Sequence, residues 1–211
     1  MKTMNWLTVL GLMLGMTTLG CGGSGSDDDT GSDTGTGTAD ADADGDADGD
    51  SDADADGDAD CAEEWFDSAS NLTWQVTPSG EEMDWQSAVS HCNGLTLCGR
   101  DDWRVPTISE LRSLVRGCAA IETGGVCGVT DDCLLDSSSC YNYDECHVCG
   151  TGGGPDNGCY WPTEIEGDCD GYWSSSCVPS YSVAWLVYFS GAVGSVEGSY
   201  PYVARCVRSG S

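Results

Sequence analysis

Thirteen cysteines fall between Cys61 and Cys206, among many glycines. That density marks a domain stapled by disulfides in an oxidising compartment, where crosslinks supplement a small core. Thirteen is odd, so at least one sulfur must stay a thiol, pair between molecules, or carry another group. The fourteenth, Cys21, stands forty residues upstream of Cys61.

The reason Cys21 stands apart lies in "MKTMNWLTVLGLMLGMTTLGCGG". Lys2 supplies a short positive region, Trp6 to Met16 is apolar, and small residues follow. This pattern predicts an export signal over residues 1–20, too short and wrongly flanked for a spanning helix. Its Leu-Gly-Cys ending resembles a bacterial lipobox, in which the cysteine is lipidated and becomes the new N-terminus. Thr18 stands where such motifs usually carry Leu, and Leu19 follows it. Lipidation of Cys21 is the expectation, with ordinary signal-peptide cleavage nearby as the alternative. A lipidated Cys21 leaves the disulfide count at thirteen.

Residues 22–60 consist of Gly, Ser, Thr, Ala and Asp. Nothing there can bury apolar surface to offset the entropy of ordering, so a disordered, self-repelling linker over 21–60 is expected. One calcium pattern hides in the tract. Asp52, Asp54, Asp56, Gly57 and Glu63 match the D-x-D-x-D-G-x5-E loop, in which alternate carboxylates and a glycine turn wrap a hard cation. An alternating Asp tract meets half of that pattern in several registers by composition alone, and no amphipathic helix precedes it. The reading is therefore a spacer with no cofactor, and calcium at these residues is the competing possibility.

The whole chain holds 36 acidic residues against 7 basic ones. From Cys61 onward 21 acids still face 6 bases, all arginine. Such a surface repels phosphate backbones and anionic headgroups, which excludes nucleic acid as an expected partner and leaves membrane contact to the lipid anchor alone.

The folded part is expected over 61–211. "NLTWQV", residues 71–76, alternates as a half-buried strand. "MDWQSAVSHCNGL" puts Trp85, Ala88, Val89, Cys92 and Leu95 on one helical face, with Asp84 as N-cap and Gly94 near the end. In "DDWRVPTISELRSLVRG", Thr107 and Glu110 have capping-box spacing, Ile108, Leu111, Leu114 and Val115 form the buried stripe, and Gly117 closes the helix. From about 117 to 170 periodicity vanishes, which predicts a long excursion pinned by disulfides rather than by a core. Strand signals return in "GYWSSS", "VAWLVYF" and "PYVARCVR".

Taken in order, "NLTWQ", "WQSAVSHC", "DDWRVPTISELRSLV", "YWSSS", "AWLVYFSG" and "VARCVR" resemble the motif series of the Lcl C-terminal domain family of bacterial exported proteins. The resemblance spans Phe66 to Arg208. It implies an α+β, C-type-lectin-like fold, with two helices packed on small twisted antiparallel sheets and the cysteine-rich excursion as an insertion. It also implies adhesion or ligand binding at the cell envelope or outer surface, toward an unidentified glycan or protein. The positive patches that suit sulphated glycans are absent from this sequence. In lectin-like folds the first helix packs beside the terminal strand, so the resemblance further implies a Cys92–Cys206 bridge. Cys118 to Cys177 close short loops and are expected to pair mainly among themselves. Cys61 and Cys98 are left as candidates for the odd thiol.

Chemical constellations are sparse. Cys146-His147-Val148-Cys149 is a C-x-x-C, but the haem pattern needs His after the second Cys, and no strand–helix context supports a redox motif. Zinc would need four ligands in an oxidising space, so structural disulfides are the reading. His91 is expected on the outer face of its helix, and neither histidine can be placed beside a nucleophile. "WRVPTISELRSLVRG" also resembles formylglycine-generating, sulfatase-modifying enzymes. Those rely on a late cysteine pair, and here only Cys206 is offered, so Arg104 reads as a structural partner of an aromatic ring or a carboxylate. Trp173, Trp185 and Tyr188 could stack a sugar, but strand alternation sends Trp185 and Tyr188 to opposite faces, which favours core packing. The expected function is a non-enzymatic surface binding or adhesion domain on a lipid anchor. The alternatives are an enzyme related to the formylglycine class and a purely structural envelope protein.

Overall fold

A computed structural model describes residues 61–133, 140–178 and 182–210. The signal, lipidation and linker expectations, with Cys21, Asp52, Asp54 and Asp56, lie outside the described residues. Eleven elements follow in chain order: β1 (Glu64–Asp67), β2 (Leu72–Gln75), β3 (Glu82–Met83), α1 (Trp85–Asn93), α2 (Ile108–Ser113), α3 (Tyr143–Cys146), β4 (Gly171–Val178), β5 (Val183–Tyr188), β6 (Ala192–Glu197), β7 (Tyr202–Val203) and β8 (Val207–Ser209). They form a mixed α+β fold with a three-stranded sheet, β1-β2-β8, and a five-stranded sheet, β3-β7-β4-β5-β6.

Both main helices begin where their caps dictate. Asp84 accepts from Ser87 N–H at 2.7 Å to start α1, and Gly94 ends it. Thr107 and Glu110 complete a reciprocal capping box at α2, satisfying two otherwise orphaned donors. Ile108, Leu111, Leu114 and Val115 are all buried, and Gly117 follows in the left-handed region at φ 83°. His91 is half-buried with its Nε2 enclosed, rather than on a fully open face.

The five-stranded sheet is covered on both faces. Along β5, Trp185 and Val187, with Phe189 beyond the strand end, enter one cluster with Ile108, Leu111 and Leu114 of the α2 segment. Ala184 and Leu186 enter a second cluster with Ala88 and Cys92 of α1. Alternation thus sorts one strand's side chains between two cores. β4 does the same, with Tyr172 in the first cluster and Trp173 in the second.

Four expectations are corrected. β2 is buried along its whole length rather than half-buried: Leu72 and Trp74 enter the first core cluster, while Thr73 donates to Gly210 carbonyl and Gln75 accepts from Cys206 N–H. The sheets are not wholly antiparallel: β4 meets β7 in parallel through Tyr172 and Val203, since the chain re-enters the sheet beside β4 after the β5–β6 hairpin. Besides α1 and α2 there is a third helix, the four-residue α3, capped by Asn142. Most consequentially, the excursion is part of the core. Ile121, Val129, Trp161 and Ile165 are fully buried in the same cluster as α2 and β5, and Trp185 Nε1–H donates to Cys133 carbonyl at 2.9 Å. The segment also closes on the β5–β6 turn, where a Cβ on Gly191 (φ 123°) would lie 2.7 Å from Cys149 carbonyl. Its lack of periodicity hid this, since its apolar residues come from irregular backbone that meets the core at single points.

Candidate functional site

Six disulfides hold the described residues: Cys61–Cys98, Cys92–Cys206, Cys118–Cys149, Cys127–Cys146, Cys133–Cys140 and Cys159–Cys169. Cys92 and Cys206, the pair that the resemblance implies, are joined and fully buried, tying α1 to the segment just before β8. Cys61 and Cys98, the candidates for an odd thiol, are instead bonded to each other. The two cysteines of the C-x-x-C go to different partners, so the motif is neither a dithiol nor a metal clamp. Cys61, Cys98 and Glu63 gather ligand-type atoms within 4.8 Å. The two sulfurs are spent on each other, however, which leaves one exposed carboxylate, too little for a cation.

Three of the six arginines are buried, and most of the six have partners. Arg112 is buried, donating from Nε to Ile121 carbonyl at 2.9 Å, from Nη2 to Glu122 carbonyl at 2.7 Å, and from Nη1 to Val129 carbonyl. One guanidinium thus gathers three orphan carbonyls of the excursion, and burial lowers its pKa. Arg205 lies fully buried between Trp161 and Tyr172 and donates to Gln75, Val76 and Glu166 carbonyls; here too burial lowers the pKa. Arg208 pairs with Glu64 and lies over Trp103. Arg104 makes a bidentate pair with Glu110, at 2.7 and 2.6 Å, and so meets a carboxylate rather than an aromatic ring. Arg116 holds Ser113 and Val115 carbonyls and lies 3.8 Å from Asp67. Only Arg100 among the six is exposed without an ion pair or stacking partner in the described residues.

A cleft of about 780 Å³ opens between the β1–β2 turn, α2 and the start of the excursion. Asp67, Ser109, Glu110, Arg116, Thr123 and Asp131 set its chemistry. The turn builds one wall: Asp67 accepts from Ala69 N–H and Ser70 Oγ–H at 3.0 and 2.8 Å, and Asn71 takes φ 57°. The α2 N-terminus builds another, and its donors are already taken. Ile108 N–H goes to Ser176 Oγ, Ser109 N–H to Asp131, and Glu110 N–H to Thr107 Oγ1. An anion therefore finds no free backbone donors there. Burial opposes ionisation of Glu110, but hydrogen bonds from Arg104 and Thr107, with the Arg104 charge, hold its carboxyl below the ordinary range. The lining contains no histidine or cysteine. Hydroxyls and carboxylates offer hydrogen bonds to a neutral or cationic ligand instead. Sequence reasoning missed this cleft because its walls come from three segments with no motif of their own.

Trp173, Trp185 and Tyr188 form no sugar platform. Trp173 and Trp185 are buried, and Tyr188 is half-buried with its hydroxyl 2.7 Å from that of Tyr202. Burial and this neighbour push the Tyr188 pKa well above its ordinary value.

The family profile described as the Lcl C-terminal domain matches residues 64–208. The chain belongs to the Lcl C-terminal domain family. The match runs from β1 to β8 and so takes in both sheets, both clusters and the excursion. No curated protein matches the chain. No solved structure matches it either. The Lcl domain and the six bridges among the described residues together fit an extracellular or envelope protein.

Proposed function

We propose that this Lcl domain is the binding head of an exported lipoprotein, carried on the acidic segment and anchored through Cys21, with a C-type-lectin-like arrangement and no enzymatic activity. One observation carries the reading. The cleft presents hydroxyls and carboxylates on a domain in which five of six arginines are already held by carbonyls, carboxylates or rings, including Arg112 and Arg116 at the cleft itself. A neutral glycan or a cationic protein surface suits it better than a sulphated polymer. The burial of Cys206 in its bridge to Cys92 supports binding over thiol-dependent oxidation, since no late thiol is left at that position.

The test has two arms. Wild-type protein and Cys21→Ser are fractionated between membrane and soluble pools. Wild type is expected in the membrane pool and the variant in the soluble one; a soluble wild type would sink the anchor. Oxidised protein is then presented to arrays of neutral glycans, sulphated glycans and basic peptides. Binding to either uncharged or basic probes that falls at least tenfold in Asp131→Ala supports the cleft, and preference for sulphated probes opposes it.

A further inference from the structure

Two of the bridges overlap in sequence. Cys61–Cys98 closes a loop of separation 37 that contains Cys92, and Cys92 is joined to Cys206 across a separation of 114. We infer that this overlap is a covalent bypass for tension: a pull arriving at Cys61 is passed around the sheets to the buried terminal segment through two S–S bonds and the short backbone between Cys92 and Cys98.

The geometry sets the limit. Six residue steps separate Cys92 from Cys98, and at ~3.6 Å each they span about 22 Å. The bridges add Cα–Cα separations of 5.9 and 5.4 Å. While both hold, Cys61 and Cys206 cannot part by more than about 33 Å, whatever happens to the noncovalent fold. The unbridged chain between them could extend to about 500 Å. The element protected is β1. It is an edge strand of the three-stranded sheet and begins three residues after Cys61. Without Cys61–Cys98, a pull at Cys61 would peel β1 from β2 pair by pair, starting at Glu64 and Gln75. With it, the load reaches α1 and then Cys206, both in the second core cluster. Neither bridge alone suffices. Cys61–Cys98 without Cys92–Cys206 leaves the long downstream chain free to unravel, and the reverse leaves β1 and β2 in the path.

The use of such a bypass rests on the proposed surface-binding role, in which the N-terminal side is held and the domain is pulled by what it binds. The bypass itself does not, and its test needs no ligand. The full chain carries one peptide tag inserted after Asp60 and one after Ser211 and is stretched between handles in optical tweezers. Oxidised wild type is expected to show no lengthening beyond a few tens of ångströms below the forces that break covalent bonds. Cys61→Ala with Cys98→Ala leaves the Cys92–Cys206 bridge in place and opens 31 residue steps to the pull, so it should lengthen by up to about 110 Å. Reductant added under load should release a length several-fold greater still. An oxidised wild type that lengthens by ~100 Å or more would overturn the bypass, as would a Cys61/Cys98 variant that adds no length.

Discussion

Glu110 shows how much one side chain can hold. It closes the capping box of α2, accepts both guanidinium branches of Arg104, and lines the cleft. Glu110→Gln keeps a capping group but removes the charge, so it isolates the ion pair. The pair is partly exposed, so a loss of about 1 kcal/mol is expected. Thr107→Ala removes the cap itself and should also cost about 1 kcal/mol, seen as a melting shift of roughly 3 °C. Because the folded Glu110 pKa is depressed from its ordinary 4.5, its contribution is complete above pH 4.5 and is lost as pH falls through the lowered folded value. Wild type and Glu110→Gln should therefore converge in melting temperature below that pH. A gap that persists undiminished at pH 3 would show that the charge was not the source. Both residues were legible in the sequence, since T-x-x-E spacing before an apolar stripe is a local signal. Arg104 as the partner was legible only as a residue type, because the choice between ring and carboxylate depends on what the fold brings alongside.

At the scale of elements, the excursion decides how the domain is built. Its sequence looks like disulfide-pinned loop, yet Trp161 is fully buried against Tyr172 and Phe189 and carries Arg205 on its face. Trp161→Ala leaves every bridge in place and should still cost about 3–5 kcal/mol, measured as a fall in urea midpoint in the oxidised protein. A loss below ~1 kcal/mol would return the segment to the status of a decorated loop. The helices were readable because periodicity reports burial directly when an element shows one face to one core, and β5 because a short continuous apolar run marks a strand buried on both faces. β2 was legible as a strand but not as one covered on both faces, because its alternation pointed to a single buried face. The excursion was not legible, because an irregular segment reports burial only residue by residue.

Across the whole molecule, charge and crosslinks combine. Five of six arginines are held by carbonyls, carboxylates or rings, while most acids remain at the surface. Oxidised protein should therefore show no saturable binding to heparin-like polymers at low ionic strength, where attraction would be strongest. Saturable binding that weakens with salt would reveal a positive face. The sequence alone determined the oxidising compartment, the helix caps, the acidic balance and membership of an Lcl-type series of motifs. These rest on local spacing and composition. Only tertiary structure decided that Cys61 meets Cys98, that Arg205 and Arg208 turn inward onto distant partners, that the excursion fills the core, and that three unrelated segments enclose a cleft. Each of these is a contact between residues far apart in the chain, and such pairings depend on the packing of the whole domain.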